Sequence, residues 1–440
     1  MNKEKWFEKA LAEGFESFEI YQDMTEERSF TWFEGQLDTY VVSHVLGTAF
    51  RGVTGGKMVN ASSEDTGDSQ MDDIISSMKQ QASMISSEDK ARLRRPEQIE
   101  PKEKKQPASF DAAKIREFLK KAEEKILAYD ERIFQVTDLE YEENRQKRTI
   151  VNTYGMDLAD EAGINVLVAG AAAKQGEEVR NAYEFEPVEN PDTFDLDAFV
   201  SKLADKVTGR LGAGIPESGN VSVLIDREAM TSLFRAFSPM FCGDQIRKGI
   251  SPLSDRLNEK VFSDLITIID DPACQQAYTN CQFDDEGCPV KRKTVVDHGV
   301  FRTILHSTAS ADAMNCESSG NGFRRSYDSP VDSVPRNFWI EPGEKTPEEL
   351  MKEMGDGIMI TEFAGLHAGL RQVTGDFSLQ CGGYRIKDGK RAEGLTLFTA
   401  AGNFLELLSD VKAVANDLEW GVSSTVTPSI LVGSLAVSGR

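Results

Sequence analysis

Apolar residues recur every three to four positions over residues 2–14, where Trp6, Phe7, Ala10 and Leu11 share one side of a helix. The period then shortens to two. Residues 17–23, 28–34 and 37–46 alternate as half-buried strands do, and residues 47–60 carry a glycine-punctuated hairpin. Helical spacing returns over residues 72–85 through Ile74, Ile75, Met78, Ala82 and Ile85. From Glu88 to Pro107 the pattern dissolves into charges and prolines 96, 101 and 107. A solvated connector is expected there, outside any core and the best place to look for mobility.

A second amphipathic helix is predicted over residues 110–129, with Asp111 near its start and Ile115, Phe118, Leu119, Ala122 and Ile126 along one face. Strands follow at 133–144, 148–152 and 163–174, then a helix over 196–211 with Asp195 as its cap. The glycine-rich loop 212–219 interrupts both periods, which puts a domain boundary there: an amino-terminal domain over 1–211 and a carboxyl-terminal domain over 220–440. Beyond the loop, a strand at 221–225 and a helix at 227–238 lead into mostly short strands, with helices at 347–354 and 401–408. Helices and strands that segregate in this way predict an α+β fold, a mixed α and β first domain followed by a β-rich second one.

At 440 residues the chain exceeds what one core usually serves, so its length alone points to two domains or three. Its 73 acidic residues against 50 basic ones give a net charge of -23, which argues against direct nucleic-acid binding. No stretch approaches about twenty uninterrupted apolar residues and the amino terminus has no signal-peptide core, so a cytoplasmic protein is expected, off the membrane. Six cysteines in a chain this long do not make a secreted disulfide scaffold and are expected as reduced thiols.

The last seventy or so residues are the most informative. Val373-Thr374-Gly375-Asp376-Phe377-Ser378, Gly382-Gly383-Tyr384-Arg385-Ile386, Lys387-Asp388-Gly389-Lys390 and Thr427-Pro428-Ser429-Ile430-Leu431-Val432 follow in order, each glycine cluster punctuating a short apolar run as tight turns require. Upstream stand Phe33-Glu34-Gly35-Gln36-Leu37, Gly47-Thr48-Ala49-Phe50-Arg51-Gly52, Phe283-Asp284-Asp285-Glu286-Gly287, Thr361-Glu362-Phe363-Ala364-Gly365-Leu366-His367 and Asn416-Asp417-Leu418-Glu419. Their order over nearly the whole chain resembles the TldD/PmbA family of peptidase-associated proteins, also known as modulators of DNA gyrase.

That resemblance implies a metal site in its TldD branch: a His-Glu-x-x-x-His segment on a helix and a cysteine near the carboxyl end. Imidazole and thiolate would hold a divalent ion, and the glutamate would take a proton from bound water. Counting back from Gly243-Asp244 and Arg247-Lys248-Gly249, the three motif positions fall on Phe234, Arg235 and Pro239. No histidine lies between His44 and His298, and Gly421 to Thr427 holds no cysteine. The pattern resembles the PmbA branch, also called TldE, whose members pair with a TldD subunit and carry no metal site. Arg227-Glu228-Ala229 imitates the start of the motif and reads as a helix start.

Other clusters carry weaker chemistry. Cys274, Cys281 and Cys288 are seven residues apart, too far for zinc knuckles, and read as buried free thiols. Asp284, Asp285 and Glu286 before Gly287 fit ordinary turn chemistry or, alternatively, a carboxylate cluster lining a substrate channel. His367, Thr374, Gly375 and Asp376 are further channel candidates, while His298 and His306 read as ordinary hydrogen-bonded histidines. Ser318 to Gly322 lacks the context of a phosphate loop.

The leading expectation is thus a PmbA-like subunit without metal, cofactor or catalytic residues of its own. It would support a TldD-like metallopeptidase acting on unfolded peptides, with a partly apolar dimer face on its carboxyl-terminal domain. Two alternatives stay open: an active metallopeptidase whose ligands come from the Cys274 to Cys288 region, His298, His306 or His367, and a metal-free homodimeric peptide-binding protein.

Overall fold

A computed structural model describes residues 1–86, 91–99, 104 and 106–440. Its first half is built on one six-stranded antiparallel sheet, in the order β3-β2-β1-β4-β5-β6. These strands are β1 (Ser17–Phe33), β2 (Gln36–Thr54), β3 (Lys57–Ser63), β4 (Ile133–Asn152), β5 (Asp157–Gln175) and β6 (Glu178–Pro187). Two pairs of expected strands are in fact single ones: 17–23 with 28–34, and 133–144 with 148–152. The polar stretches between them contain no turn residue. They stay in the ladder because β1 is paired along its length by β2 on one side and by β4 on the other.

The length of these strands lets one sheet carry two cores. At one end α1 (Lys3–Ala12) and α2 (Met71–Met84) cover Phe18, Ile20 and Phe50, with Trp6 stacked on Phe50 at 4.6 Å. At the other, α3 (Ala112–Tyr129) and α4 (Leu196–Thr208) cover Phe30, Tyr141 and Leu167. The polar middle of β1 is the gap between the two. The expected caps hold: Asp111 accepts from the Lys114 N–H at 2.9 Å, and Asp195 from that of Ala198 at 3.0 Å.

In the second half, β7 (Gly219–Ile225) belongs to a seven-stranded sheet with Gly357–Ala364, Leu370–Arg371, Asp376–Lys387, Lys390–Asn403, Val411–Val414 and Ile430–Ser438. Packed beside it are α5 (Arg227–Phe237) and a smaller five-stranded sheet that includes Ile268–Asp270 and Phe338–Ile340. Val223, Phe234, Phe338, Phe377 and Phe404 belong to their common core. The turn at Lys387-Asp388-Gly389-Lys390 uses positive φ at both central residues, 50° at Asp388 and 72° at Gly389, as its sequence predicts. The helix expected over 401–408 starts later, at Phe404, because the preceding strand runs on to Asn403, whose side chain then caps Phe404–Ser409. Together these elements make the α+β fold that the sequence predicts.

The connector departs from expectation. Residues 87–90, 100–103 and 105 lie outside the described residues, but the rest is anchored. Leu93 is buried, the Ala91 N–H donates to the Gly56 carbonyl at 2.9 Å, and Arg92 grips Asp312 with two bonds of 2.7 and 2.8 Å. Lys104 bonds to Asp160 and to the Asn280 carbonyl. Among the described residues, Arg92, Arg94 and Lys104 are ion-pair partners, while 95–98 stay exposed. Exposed apolar side chains also gather in the first half of the chain, where Tyr40, Val41, Val42, Val45 and Leu46 stand on the part of β2 that β3 leaves unpaired.

Candidate functional site

Asp226 opens α5 by accepting from the N–H groups of Glu228 and Ala229, so Glu228 is a first-turn residue of a capped helix, as its sequence context predicts. The helix then carries the three motif positions in different directions. Phe234 is fully buried and stacks on Phe338 with ring centroids 4.8 Å apart. Pro239 sits in the following turn, Ser238–Phe241, and is half-buried. Only Arg235 is exposed, and it opens onto a groove between the two halves of the molecule.

The segment where the carboxyl-terminal cysteine was sought forms part of the same groove. The Thr427 N–H donates to Thr231 Oγ1 at 2.9 Å and the two threonine hydroxyls are 3.1 Å apart, so residues 421–427 lie against α5. Helix and segment are juxtaposed, but what meets there is hydroxyl and guanidinium. A phenyl ring and a pyrrolidine offer no lone pair, and a guanidinium repels a cation, so these positions do not fit a metal ion.

The groove about Arg235 has a volume of about 310 Å³, and at Pro187 and Gly421 it runs into a second one of about 440 Å³. Its opposite wall is β6 and α4. Lys202 pairs with Glu186 and Glu419, Lys206 with Glu184 and Glu228, and Arg227 with Glu419. Arg235 has no carboxylate partner among the described residues.

The remaining channel candidates separate into two groups. Gln372 donates to the Ala236 carbonyl at 3.0 Å, which brings the loop containing His367, Thr374 and Gly375 against the end of α5. His367, Thr374 and Asp376 are exposed; Asp376 is held in place by Thr374 Oγ1 at 2.7 Å and by Asn403 at 2.9 Å.

Asp284, Asp285 and Glu286 are elsewhere and, contrary to the channel expectation, fully occupied. They are buried between the two halves. Asp284 accepts three backbone N–H groups, from Glu286, Cys288 and Gly322, at 2.9 to 3.0 Å. Asp285 binds Arg148, which also holds Asp160 at 2.9 Å, and Glu286 binds Arg51 at 2.9 Å, which holds Glu19 at 2.6 Å. Burial and then the charge of Glu286 push Asp284 up to about 7. Burial also pushes Glu286 up, but the Arg51 guanidinium and hydrogen bonds from Thr308 together more than offset this and hold it below its ordinary range. Sequence reasoning missed the arginines. The available signal was a lone charge at Arg51 inside the apolar run Ala49 to Val53.

The cysteines and histidines of the metallopeptidase alternative do not gather at one place among the described residues. Cys274, Cys281 and Cys288 are buried free thiols, and burial raises Cys281 and pushes Cys288 to about 12. His306 is buried against Ser310 at 3.1 Å, His298 contacts the Asp264 carbonyl at 3.1 Å, and no three His, Cys, Asp or Glu side chains among the described residues gather as a metal would need. No helix among them is long and apolar enough to cross a membrane.

Family models of the PmbA/TldA metallopeptidase match three consecutive stretches: domain 1 over residues 18–82, the central domain over 105–211 and the C-terminal domain over 218–439. The metalloprotease PmbA homolog of Haemophilus influenzae is 25% identical over 340 residues, which are 76% of this chain and 71% of that one. A crystal structure from Thermotoga maritima, of a protein described as a candidate modulator of a DNA gyrase, matches with a TM-score of 0.87 at 28% identity and covers 99% of both chains. TldE from Thermococcus kodakarensis matches with a TM-score of 0.88 over 99% of this chain and 100% of that one; at 21% identity it speaks for the fold alone.

Proposed function

We propose that this chain, which belongs to the PmbA/TldD metallopeptidase family, is a peptide-holding subunit without a metal site of its own. It works beside a TldD-like metallopeptidase chain in the cytoplasm, with the partner docking on its carboxyl-terminal half. The observation that carries this is the pairing of α5 with residues 421–427, where Phe234 is locked in the core, Arg235 is a cation and Thr231 meets Thr427. A groove of this length, flanked by the edge strand β6, suits an extended peptide whose main chain hydrogen-bonds along its walls. Holding the peptide extended is a positioning contribution, and the hydrolytic step belongs to the partner.

The test is metal content by elemental mass spectrometry on untagged protein after mild dialysis, with peptide hydrolysis assayed on the same sample and again after mixing with a TldD-like chain. Near-zero metal, no hydrolysis alone, and co-purification with hydrolysis in the mixture are expected. One equivalent of metal with chelator-sensitive hydrolysis by the chain alone would overturn the proposal, and stable self-association without any binding to a TldD-like chain would replace it with a homodimeric peptide-binding protein.

A further inference from the structure

A cavity of about 100 Å³ lies where β1 and β4 meet the loops of the second half, close to the buried carboxylates but separate from the groove. A water needs only about 10–15 Å³ measured this way, so the space admits a polyatomic ligand. Its lining is charged, and the charges do not balance. Arg148 is saturated by Asp285 and Asp160. Arg324, Arg325 and Arg336 also line it, and none of their guanidinium groups pairs with a carboxylate among the described residues. The one other carboxylate in the lining, Asp23, takes both N–H bonds of its contact from Gln146, at 2.9 Å each.

Arg324 is the telling residue. Its backbone N–H donates to Asp285 at 2.8 Å, one terminal nitrogen reaches the Ser329 carbonyl, and its guanidinium lies 5.1 Å from the centre of the Tyr21 ring. The other two nitrogens, Nε and Nη2, are buried with no hydrogen-bond partner. Leaving a buried cation with two unmet donors costs several times what an ordinary hydrogen bond contributes. Those two nitrogens form the edge of a guanidinium that grips a carboxylate or phosphate with two parallel bonds.

We propose that this cavity binds a small oxyanion, a phosphate or carboxylate group, on the Nε and Nη2 edge of Arg324. Tyr21, Asp23, Gln146 and Arg148 come from the first half of the chain and Asp285, Arg324, Arg325 and Arg336 from the second, so the bound anion bridges the two and stabilises their contact.

The experiment uses the full chain in chloride buffer, titrated with inorganic phosphate in one arm and acetate in the other, at ionic strength held constant with sodium chloride. Calorimetry and thermal melts are read together. A saturable rise in Tm with one site per chain is expected, with phosphate preference pointing to phosphate compounds and acetate preference to a carboxyl group. Arg324→Gln should weaken binding by about tenfold or more, while Lys121→Gln, exposed on α3, should leave it unchanged. If Arg324→Gln does not fold, Arg324→Lys decides, since it keeps the charge and loses the paired edge; unchanged affinity there overturns the proposal. So does the absence of any saturable response in the wild type, or an equal one in wild type and Arg324→Gln.

Discussion

The two halves of the chain meet in two ways. At Asp284, Asp285 and Glu286 the contact is closed: every carboxylate is buried and bound to backbone N–H groups or to arginines reaching across from β2 and β4. At α5 and residues 421–427 it is open, with partly exposed ion pairs along a groove and a cation, Arg235, that has no carboxylate partner among the described residues. Both contain a similar mixture of acids and bases. What separates them is water, because removing solvent turns each charge into an obligation to its partner, whereas an exposed pair is cheap to form and to break. A closed contact suits a permanent joint and an open one suits a visiting ligand.

The sharpest way to break the comparison is to remove a cation from the closed contact. Arg148→Met would leave Asp285 and Asp160 buried together without their shared partner, and should cost about 3–5 kcal/mol in urea unfolding. A loss below about 1 kcal/mol would mean that this interface is wet and the contrast with the groove unfounded.

A proton provides the next test. Asp284 has its folded pKa raised to about 7, above the ordinary aspartate range, so between about pH 5 and 7 the folded state holds a proton that the unfolded state has released. Stability from this group therefore falls as pH rises through that window, by at most about 1.4 kcal/mol per pH unit. Glu286, held below its ordinary range, stays ionised in the folded state there and adds only a small slope of the opposite sign that fades above about pH 5. Unfolding at pH 5, 6 and 7 should show a component of slope that Asp284→Asn removes; equal slopes in both proteins would contradict the assignment.

On the open side the same kind of change should hardly register. Glu228→Gln breaks a pair with Lys206 in which the glutamate side chain is 48% exposed. Its cost should stay below about 1 kcal/mol and shrink further in high salt.

The unequal legibility of the two contacts has a physical source. Turns and caps follow from single residues, so Asp388-Gly389, Asp111 and Asp195 were readable in the sequence. That Phe234 and Pro239 offer no ligand atom is likewise a matter of residue type alone, whatever the surroundings. Long-range pairing is another matter. The acidic triplet before Gly287 looks identical in a solvated turn and in a buried joint; the difference lies in Arg51 and Arg148, more than one hundred residues away in sequence. The connector misled for the same reason, because Arg92 and Lys104 count as solubilising charge until Asp312 and Asp160 arrive beside them. Strand length also escaped, as the polar middles of β1 and β4 are strand only because neighbours pair with them on both sides.

Arg235 carries the smallest effect on the fold and the most specific one on the groove. Its side chain is exposed and pairs with no carboxylate among the described residues, so Arg235→Glu should change stability by no more than about 0.5 kcal/mol. The groove, however, now balances Glu184, Glu186, Glu228 and Glu419 against Lys202, Lys206, Arg227 and Arg235. Reversing one charge tips it acidic. If an extended peptide lies there, an acidic fluorescent peptide should bind the variant several-fold more weakly and a basic one more tightly, with both differences shrinking as salt shortens the screening length. Anisotropy titrations at low and high salt measure this directly. The glutamate introduced at this position should still confer no metal binding, because Phe234 and Pro239 on the same segment supply no ligand atom. Identical affinities of wild type and variant for both peptides would move the peptide out of the groove, while the closed joint would stand untouched.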